Sequence, residues 1–491
     1  MAKVFLNENE LARVSDEAAR CRRAEIFPLP ASRFGADVAP GFLDGPMLVL
    51  EDHRPIDLTP ADRLPLFEYR SYGLARGSDF IMLSRPRVSA FERYYQQVLG
   101  LDMPTVLHVS RGDTRMPDAL AQGCRQDEET LQVLAKAAAS AGGFNVLPYI
   151  ASGHSWMLAS DIARLANVPV RVCGASPKLT ACVNNKLWFS ARVRALLGET
   201  ATPPTEAVFG LAAAAAMMRR LARQHTRVVI KLPSSAGSMG NLHFDGDFVR
   251  QTSVKELKAI LLNQLQATGW SGRYPVLVGV WETKALASPS VQMWLPEVTD
   301  AGPIIEGIVG QTLTNDRHVF IGATSIALPE AIEARLVRQA TMIGTLLQQL
   351  GYFGRLSLDA LLVGETLENA DLHWVECNGR WGGVSIPMTL AGRLGIAGGA
   401  SKLVVVQRRL AGWSLPDFTT SLDRCSSLLF RPGREEGVVF TEPTGPAERG
   451  ASFFTTGKSA ARREELALQT IDKLLISANA REPILDQDQP V

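Results

Sequence analysis

The run Trp374–Gly383, W-V-E-C-N-G-R-W-G-G, sets an acid, an amide and an arginine at alternate positions. In an extended strand alternate positions share a face, so Glu376, Asn378 and Arg380 project together while Cys377 points away. Two oxygen donors beside a guanidinium suit a magnesium-bound phosphate better than a packed core. A second acid reaches the same place through a hairpin. The apolar run 358–363 precedes the polar segment 364–371, and pairing Asp359 with Glu376 centres the turn within that segment. Opposed carboxylates with Cβ atoms ~4.5–5.5 Å apart repel one another. A divalent cation between them reverses the sign, and Mg2+ keeps its remaining sites for water and phosphate oxygens.

Two upstream elements supply positive charge. The segment V-V-I-K-L-P-S-S-A-G-S-M-G, residues 228–240, ends an apolar strand on Lys231 and enters a loop of small residues. Such a loop lets backbone amides approach a polyphosphate, and it can close as a lid. Lys231 would lie over the phosphates as a point charge. Taken alone, a serine- and glycine-rich turn is as often a solvated loop. Asn184-Asn185-Lys186 opens a helix further upstream, and by itself that lysine reads as a surface residue.

In this order and spacing the elements resemble the ATP-grasp superfamily over roughly residues 180–400. The resemblance implies that Lys186, Lys231 and the loop residues Ser234, Ser235, Gly237, Ser238, Met239 and Gly240 clasp a nucleotide. Glu282, closing the strand V-L-V-G-V-W-E, falls where the family's hinge meets adenine or ribose. Asp359, Glu376 and Asn378 match the ligands of Mg2+, two ions in the family, with Mn2+ able to substitute. Arg380 and Lys231 match the cations that neutralise the transferring phosphoryl group. Arg355, four residues before Asp359 on the same strand face, is placed toward an acyl phosphate.

A narrower resemblance rests on P-Y-I-A-S-G-H, V-R-V-C-G-A-S-P-K-L and N-N-K in sequence, then Ser288–Gln292 (S-P-S-V-Q), Gln311 ahead of a strand, and N-G-R-W-G-G. This arrangement is similar to pre-ATP-grasp peptide ligases of the pheganomycin ligase type, over nearly the whole chain. It implies an ATP-dependent carboxylate–amine ligase working through an acyl phosphate and releasing ADP and phosphate, in peptide natural-product biosynthesis. The expected partners are a small carboxylate and an amine (an amino acid or peptide), with a homodimer as the default assembly. An ATP-grasp phosphotransferase with another acceptor is the enzymatic alternative, and a non-catalytic nucleotide-binding regulator is the second. The intact set Asp359, Glu376, Asn378, Arg380 and Lys231 argues against the regulator.

These residues need a scaffold, and the pattern around them supplies one. From about residue 20 to 175, apolar runs at 46–51, 79–83, 105–109 and 145–150 alternate with helical patterns such as 128–141 and 157–166, as in an open α/β sheet. No G-x-G-x-x-G follows any of these strands. Downstream come a helix at 211–221, strands at 227–232 and 275–281 around a helix at 253–266, and strands at 291–294 and 318–323. A long helix at 329–350 stops at Gly351. The C-terminal part is expected to hold strands at 426–430 and 438–441 and a helix at 462–478. The expected fold is α/β, α+β in the catalytic part. It comprises a Rossmann-like pre-ATP-grasp domain (1–178), a two-lobed ATP-grasp domain (179–405, the lobes meeting near 280) and a small α+β domain (406–491).

The balance of 51 basic against 50 acidic residues, net +1, points to neither a nucleic acid nor an anionic membrane as partner. No apolar run is long enough to span a bilayer, and the N-terminus lacks a signal-peptide core. Six scattered cysteines without a C-x-x-C pair suit reduced thiols and a cytoplasmic location. Thr456-Gly457-Lys458-Ser459 looks like part of a phosphate loop, but Ser452 stands where the first glycine is required, so it reads as an ordinary loop. Arg111-Gly112-Asp113 reads as a turn, and His108 and His154 have no second histidine at metal spacing.

Overall fold

The computed structural model describes residues 5–24, 27, 30–56, 67–112, 118–235, 240–314, 319–409, 415–445 and 450–475. Six short strands, β1 (Val38–Pro40), β2 (Met47–Leu50), β3 (Phe80–Leu83), β4 (Thr105–His108), β5 (Phe144–Pro148) and β6 (Val170–Val172), form a parallel sheet in the order β1-β6-β5-β2-β3-β4. The helix Glu128–Ala141 has the expected bounds, and Gly153–Ala166 begins four residues early because Ser152 and Ser155 close a capping box. The chain moves from β2 outward to β4, then crosses back to place β5 on the other side of β2. Ligands of open α/β sheets bind at such a reversal, beyond the carboxyl ends of the strands.

The second sheet is antiparallel: β7 (Thr205–Val208), β8 (Arg227–Lys231), β9 (Asn241–Asp245) and β10 (Val276–Val280), ordered β7-β10-β8-β9. Leu211–Leu221 and Val254–Ala267 cover it, and Ala214, Met218, Leu257 and Leu261 close a core separate from the others.

Nine further strands make the third sheet: β11 (Ala285–Ala287), β12 (Pro289–Leu295), β13 (Ile304–Leu313), β14 (Phe320–Ser325), β15 (Gly354–Val363), β16 (Asp371–Asn378), β17 (Leu403–Arg409), β18 (Gly437–Phe440) and β19 (Gly450–Thr456). β11 and β12 run along one edge of β15, β16 pairs with its other edge, and β13, β14, β17, β19 and β18 extend the sheet beyond β12. The helix Glu330–Gln349 packs on the back of this sheet, joined by Glu8–Ala24, a helix that sequence reading did not anticipate. The fold class is the expected one.

Three expectations change. β13 has no counterpart in the sequence reading, because Glu306, Gly307 and Gly310 interrupt its apolar pattern. Gln311 therefore lies inside a strand, not ahead of one. Residues 426–428 are not a strand: they turn out of the helix Phe418–Cys425, which Asp417 caps, leaving only an isolated bridge from Leu429 to Val438. The expected boundary at 405 and 406 falls within β17, which hydrogen-bonds to both β14 and β19, so the last strands continue the third sheet. The C-terminal helix is Ala460–Leu474, and residues 476–478 of its expected span lie outside the described residues.

The N-terminal and C-terminal parts share an aromatic core. Phe91, Tyr94 and Tyr95 pack against Phe418 and Phe440, and the Phe440 amide donates to Tyr94 Oη at 3.2 Å. Among the described residues no helix is long and apolar enough to cross a membrane.

Candidate active site

The hairpin of β15 and β16 sets Asp359 opposite Glu376, the register that the turn segment predicts. The register then slips: Ala360 pairs with Trp374, leaving Val375 as an extra residue, a β-bulge. Strict alternation would put Trp374 on the face of Glu376. The bulge instead sends Trp374 and Cys377 into the helix-covered core, both nearly fully buried, and leaves His373, Glu376 and Asn378 on the open face.

Polar groups link across that face. Asn378 Nδ2 donates to Asp359 Oδ2 at 2.8 Å, and Arg380 Nη2 donates to Asn378 Oδ1 at 2.5 Å. Ser290, directly across from Asp359 on β12, donates to Asp359 Oδ1 at 2.6 Å, and Gln292 Nε2 donates to Ser290 Oγ at 3.0 Å. Ser288 donates to Gln311 Oε1 at 3.0 Å. Ser290 and Gln292 thus lie at alternate positions of β12, with Ser288 just before it continuing the polar row, and the strand's other face carries Val291 and Met293. That alternation was the sequence signal for residues supporting Asp359.

Lys186 ties the two lobes together. Asn185 caps the helix Lys186–Leu197 by accepting from the Leu187 and Trp188 amides at 3.0 and 3.2 Å, which fixes Lys186 in the first turn. The Lys186 ammonium donates to the Ser235 carbonyl and lies 3.1 Å from Glu376 Oε2. The preceding Asn184 accepts from Arg380 Nη1 at 2.5 Å and from the Gly379 amide at 3.1 Å. A Cβ on residue 379 would stand 2.8 Å from Val183, so glycine permits this contact.

The loop after β8 closes where the Leu232 amide donates to the Gly240 carbonyl at 3.0 Å, and Ser235 Oγ donates to the Leu232 carbonyl at 3.0 Å. A Cβ at Gly240 would collide with Ser235, 2.3 Å from its Oγ. Ser234 lies in the turn that follows β8, while Gly237, Ser238 and Met239 lie outside the described residues. Lys231 ends β8 with its ammonium 5.8 Å from the Trp281 ring centroid. Glu282 follows β10, with Oε1 3.0 Å from His373 Nδ1, a partner that sequence reading did not find.

The charges sort unequally. Burial and the Glu376 charge push Asp359 up to about 6. Burial also raises Glu376, but Lys186, Arg380 and Lys231 outweigh it and hold that carboxyl below its ordinary range. Burial and the neighbouring Lys186 bring Lys231 down to about 8, against the pull of Glu376 and Glu282. Two opposed acids that cannot comfortably share negative charge, with the Asn378 amide beside Asp359, are a donor set that fits Mg2+.

Arg355 stands apart from this network. It lies on β15 opposite Trp294, its guanidinium 5.4 Å from the Trp294 ring centroid and 5.0 Å from that of Trp381, and it pairs with Glu306. Burial lowers it to about 10. Trp381 donates its amide to the Tyr149 carbonyl at 2.9 Å, which joins the end of the hairpin to the carboxyl end of β5.

The remaining sequence candidates are structural. Arg111 is buried, donating to Glu68 Oε1 at 3.0 Å and to Asp52 Oδ1 at 3.1 Å. Lys458 pairs with Glu435 at the surface, and Ser459 caps the last helix. All six cysteines are buried thiols.

Comparison with known proteins follows this geometry. Residues 68–164 match the Pre ATP-grasp domain model. No curated protein matches the chain. Among solved structures the chain is similar to a biotin carboxylase from Campylobacter jejuni described as a β,γ-ATP complex (TM-score 0.52, 15% identity, 88% of this chain and 92% of that one). It is similar to the biotin carboxylase domain of Hydrogenobacter thermophilus 2-oxoglutarate carboxylase with MgADP (0.51, 14%, 87% and 90%). It is also similar to N5-carboxyaminoimidazole ribonucleotide synthetase from Thermus thermophilus (0.50, 14%, 89% and 100%). At these identities the likeness is one of fold, and that fold is of the ATP-grasp kind.

Proposed function

We propose that the protein is an ADP-forming, ATP-dependent carboxylate–amine ligase of the pre-ATP-grasp peptide ligase type. The observation that carries this reading is the pairing of Asp359 with Glu376 on one face, with Lys186, Asn378 and Arg380 in the same network. Lys231, Lys186 and the loop from Ser234 to Gly240 would hold the ATP phosphates, and Glu282 the nucleoside end. Asp359, Glu376 and Asn378 would hold Mg2+, which when bound screens the negative charge of the phosphates.

A substrate carboxylate oxygen attacks the γ-phosphorus, the bond to the β-phosphate oxygen breaks, and ADP leaves with that electron pair. Lys231 and Arg380 stabilise charge on the transferring group, where one lost contact typically costs ~3 kcal/mol. An uncharged amine then attacks the acyl carbon, phosphate departs with the C–O bonding electrons, and the nitrogen sheds a proton to give the amide. Little of this needs side-chain acid–base chemistry, since positioning and neutralisation dominate phosphoryl transfer.

The deciding assay supplies carboxylates and amines, separately and together, to the purified chain with ATP and Mg2+. ADP and phosphate should accumulate only when both substrates are present. AMP and pyrophosphate as products would sink the acyl-phosphate mechanism.

A further inference from the structure

A narrow cleft of about 10 Å3 opens where the carboxyl ends of β5 and β6 meet the β15–β16 hairpin, lined by Tyr149, Gly174, Tyr352, Arg355, Arg380 and Trp381 among others. It is far smaller than the ~300–1,000 Å3 of drug-sized ligand pockets, so it suits a single small polar group such as a water or one end of a carboxylate. Two guanidinium groups border it, and they are held in different ways. Arg380 belongs to the network of Asn184, Asn378, Asp359 and Glu376. Arg355 lies four residues up the strand from Asp359, ~13 Å at the rise of an extended chain.

The fixing of Arg355 is elaborate for a residue so far from the acids. Trp294 and Trp381 lie against its guanidinium, and Phe42, from the loop after β1, stacks on Trp294 with ring centroids 5.9 Å apart. A bulge in β13 supplies its counter-ion: Gln292 pairs with Gly307 and Met293 with Ile305, so Glu306 is the extra residue and reaches Arg355. Arg355 is only 9% exposed, and its Nε has no hydrogen-bond partner. With its charge balanced by Glu306, the guanidinium still has an unused Nε–H, which offers an anion at the cleft a charge-assisted hydrogen bond. The other guanidinium lies beside the reacting groups, so this second one faces a part of the substrate that does not react.

We infer that Arg355 receives the unreacted carboxylate of a small substrate, whose reacting group lies toward Arg380. This rests on the ligase reading above. An α-amino acid or short peptide serving as the amine is one source, since its own carboxylate remains free throughout. The second carboxylate of a dicarboxylic acyl donor is the other. Arg355 is then a specificity residue, not a participant in phosphoryl transfer.

The test measures binding by ligand-observed NMR, using the full chain with a non-hydrolysable ATP analogue and Mg2+. Probes are glycine, L-alanine and glycylglycine against their C-terminal amides, and succinate against propionate. The unaltered chain should prefer the probe with the extra carboxylate in one of the two sets by about ten- to a hundredfold, the value of a hydrogen bond to a buried charge. The set that shows it identifies the source. In R355M/E306Q the preference should fall to within about twofold, and R355K should keep part of it. Nucleotide affinity, measured on each variant, reports that the fold survives. Equal binding within both sets, or a preference that survives R355M/E306Q, overturns the inference. ADP release assayed on the same samples separates the two claims. Acid preference without release removes the ligase reading, whereas release without acid preference removes only the role of Arg355.

Discussion

Two buried clusters of charge, one at the N-terminal sheet and one on the β15–β16 hairpin, resolve their charges differently. In the N-terminal sheet, Arg111 holds Glu68 and Asp52, Ser84 donates twice more to Glu68, and the Leu120 amide satisfies the other Asp52 oxygen. Arg70 pairs with Glu51 alongside, beneath a stack of His53 on Tyr149 at 4.2 Å between ring centroids. In the hairpin, two carboxylates oppose each other in register, and one of them is pushed up to about 6 by burial and by the other. The first cluster sets a cation against each of its acids, although burial still pushes Glu51 up to about 7 and leaves its Oε2 without a hydrogen bond. The second leaves like charges side by side, which suits a site awaiting a cation and a polyanion. The difference lies in two acids set directly opposite each other, with cations crowded round one of them, and not in burial itself.

The contrast predicts opposite phenotypes, the largest first. Glu376→Gln should lower kcat by ~10³-fold and leave the unfolding midpoint in denaturant nearly unchanged. Turnover within tenfold of the unaltered protein would end the metal-ligand assignment. Arg111→Met should do the reverse, costing ~3–5 kcal/mol by stranding Glu68 and Asp52 in the interior. Equilibrium denaturation monitored on the N-terminal part checks this, and an unchanged midpoint would erase the distinction between the clusters. Asn378→Ala should reduce kcat by ~10²-fold with a partial rescue at high Mg2+.

Lys231→Ala should weaken ATP binding and turnover together, each by roughly tenfold, measured by calorimetry and ADP release. The pH dependence follows from the same side chain. With Lys231 lowered to about 8, ATP affinity should be steady below pH 7 and decline as pH rises through 8 and the ammonium is lost. Because bound phosphates favour the ammonium, binding near pH 8.5 should take up protons, seen as a heat that varies with the buffer. No proton uptake would place Lys231 away from the phosphates. The smallest effect is expected from His373→Phe, a few-fold loss of ATP affinity through the released Glu282 carboxylate.

Much of the hairpin was legible because it is local. Strand alternation, a polar turn of the right length and the run E-C-N-G-R suffice to pair Asp359 with Glu376, since register in a hairpin follows from its turn. Helix 128–141 was equally readable from its apolar spacing, and helix 211–221 from its run of alanines. β13 was not, because its glycines and Glu306 hide a strand whose pairing with β12 and β14 comes from distant sequence. The bulge at Val375 was also hidden: it is stabilised by the core that receives Trp374, including the bond from Trp374 Nε1 to Gln339 at 2.8 Å.

The sequence alone determined which chemical groups are present and, within one hairpin, which face they share, because both depend on neighbours a few residues apart. Tertiary structure decided which cations meet those acids. Lys186 reaches Glu376 and Ser235 from a helix far upstream, and Asn184 aligns Arg380, through contacts that no local periodicity encodes. It decided equally that Arg111 is a packed strut and that Arg355 lies between two tryptophans at a cavity wall. A side chain's chemistry is written in its type, but its charge state and its partner are set by whatever the rest of the fold brings within a few ångströms.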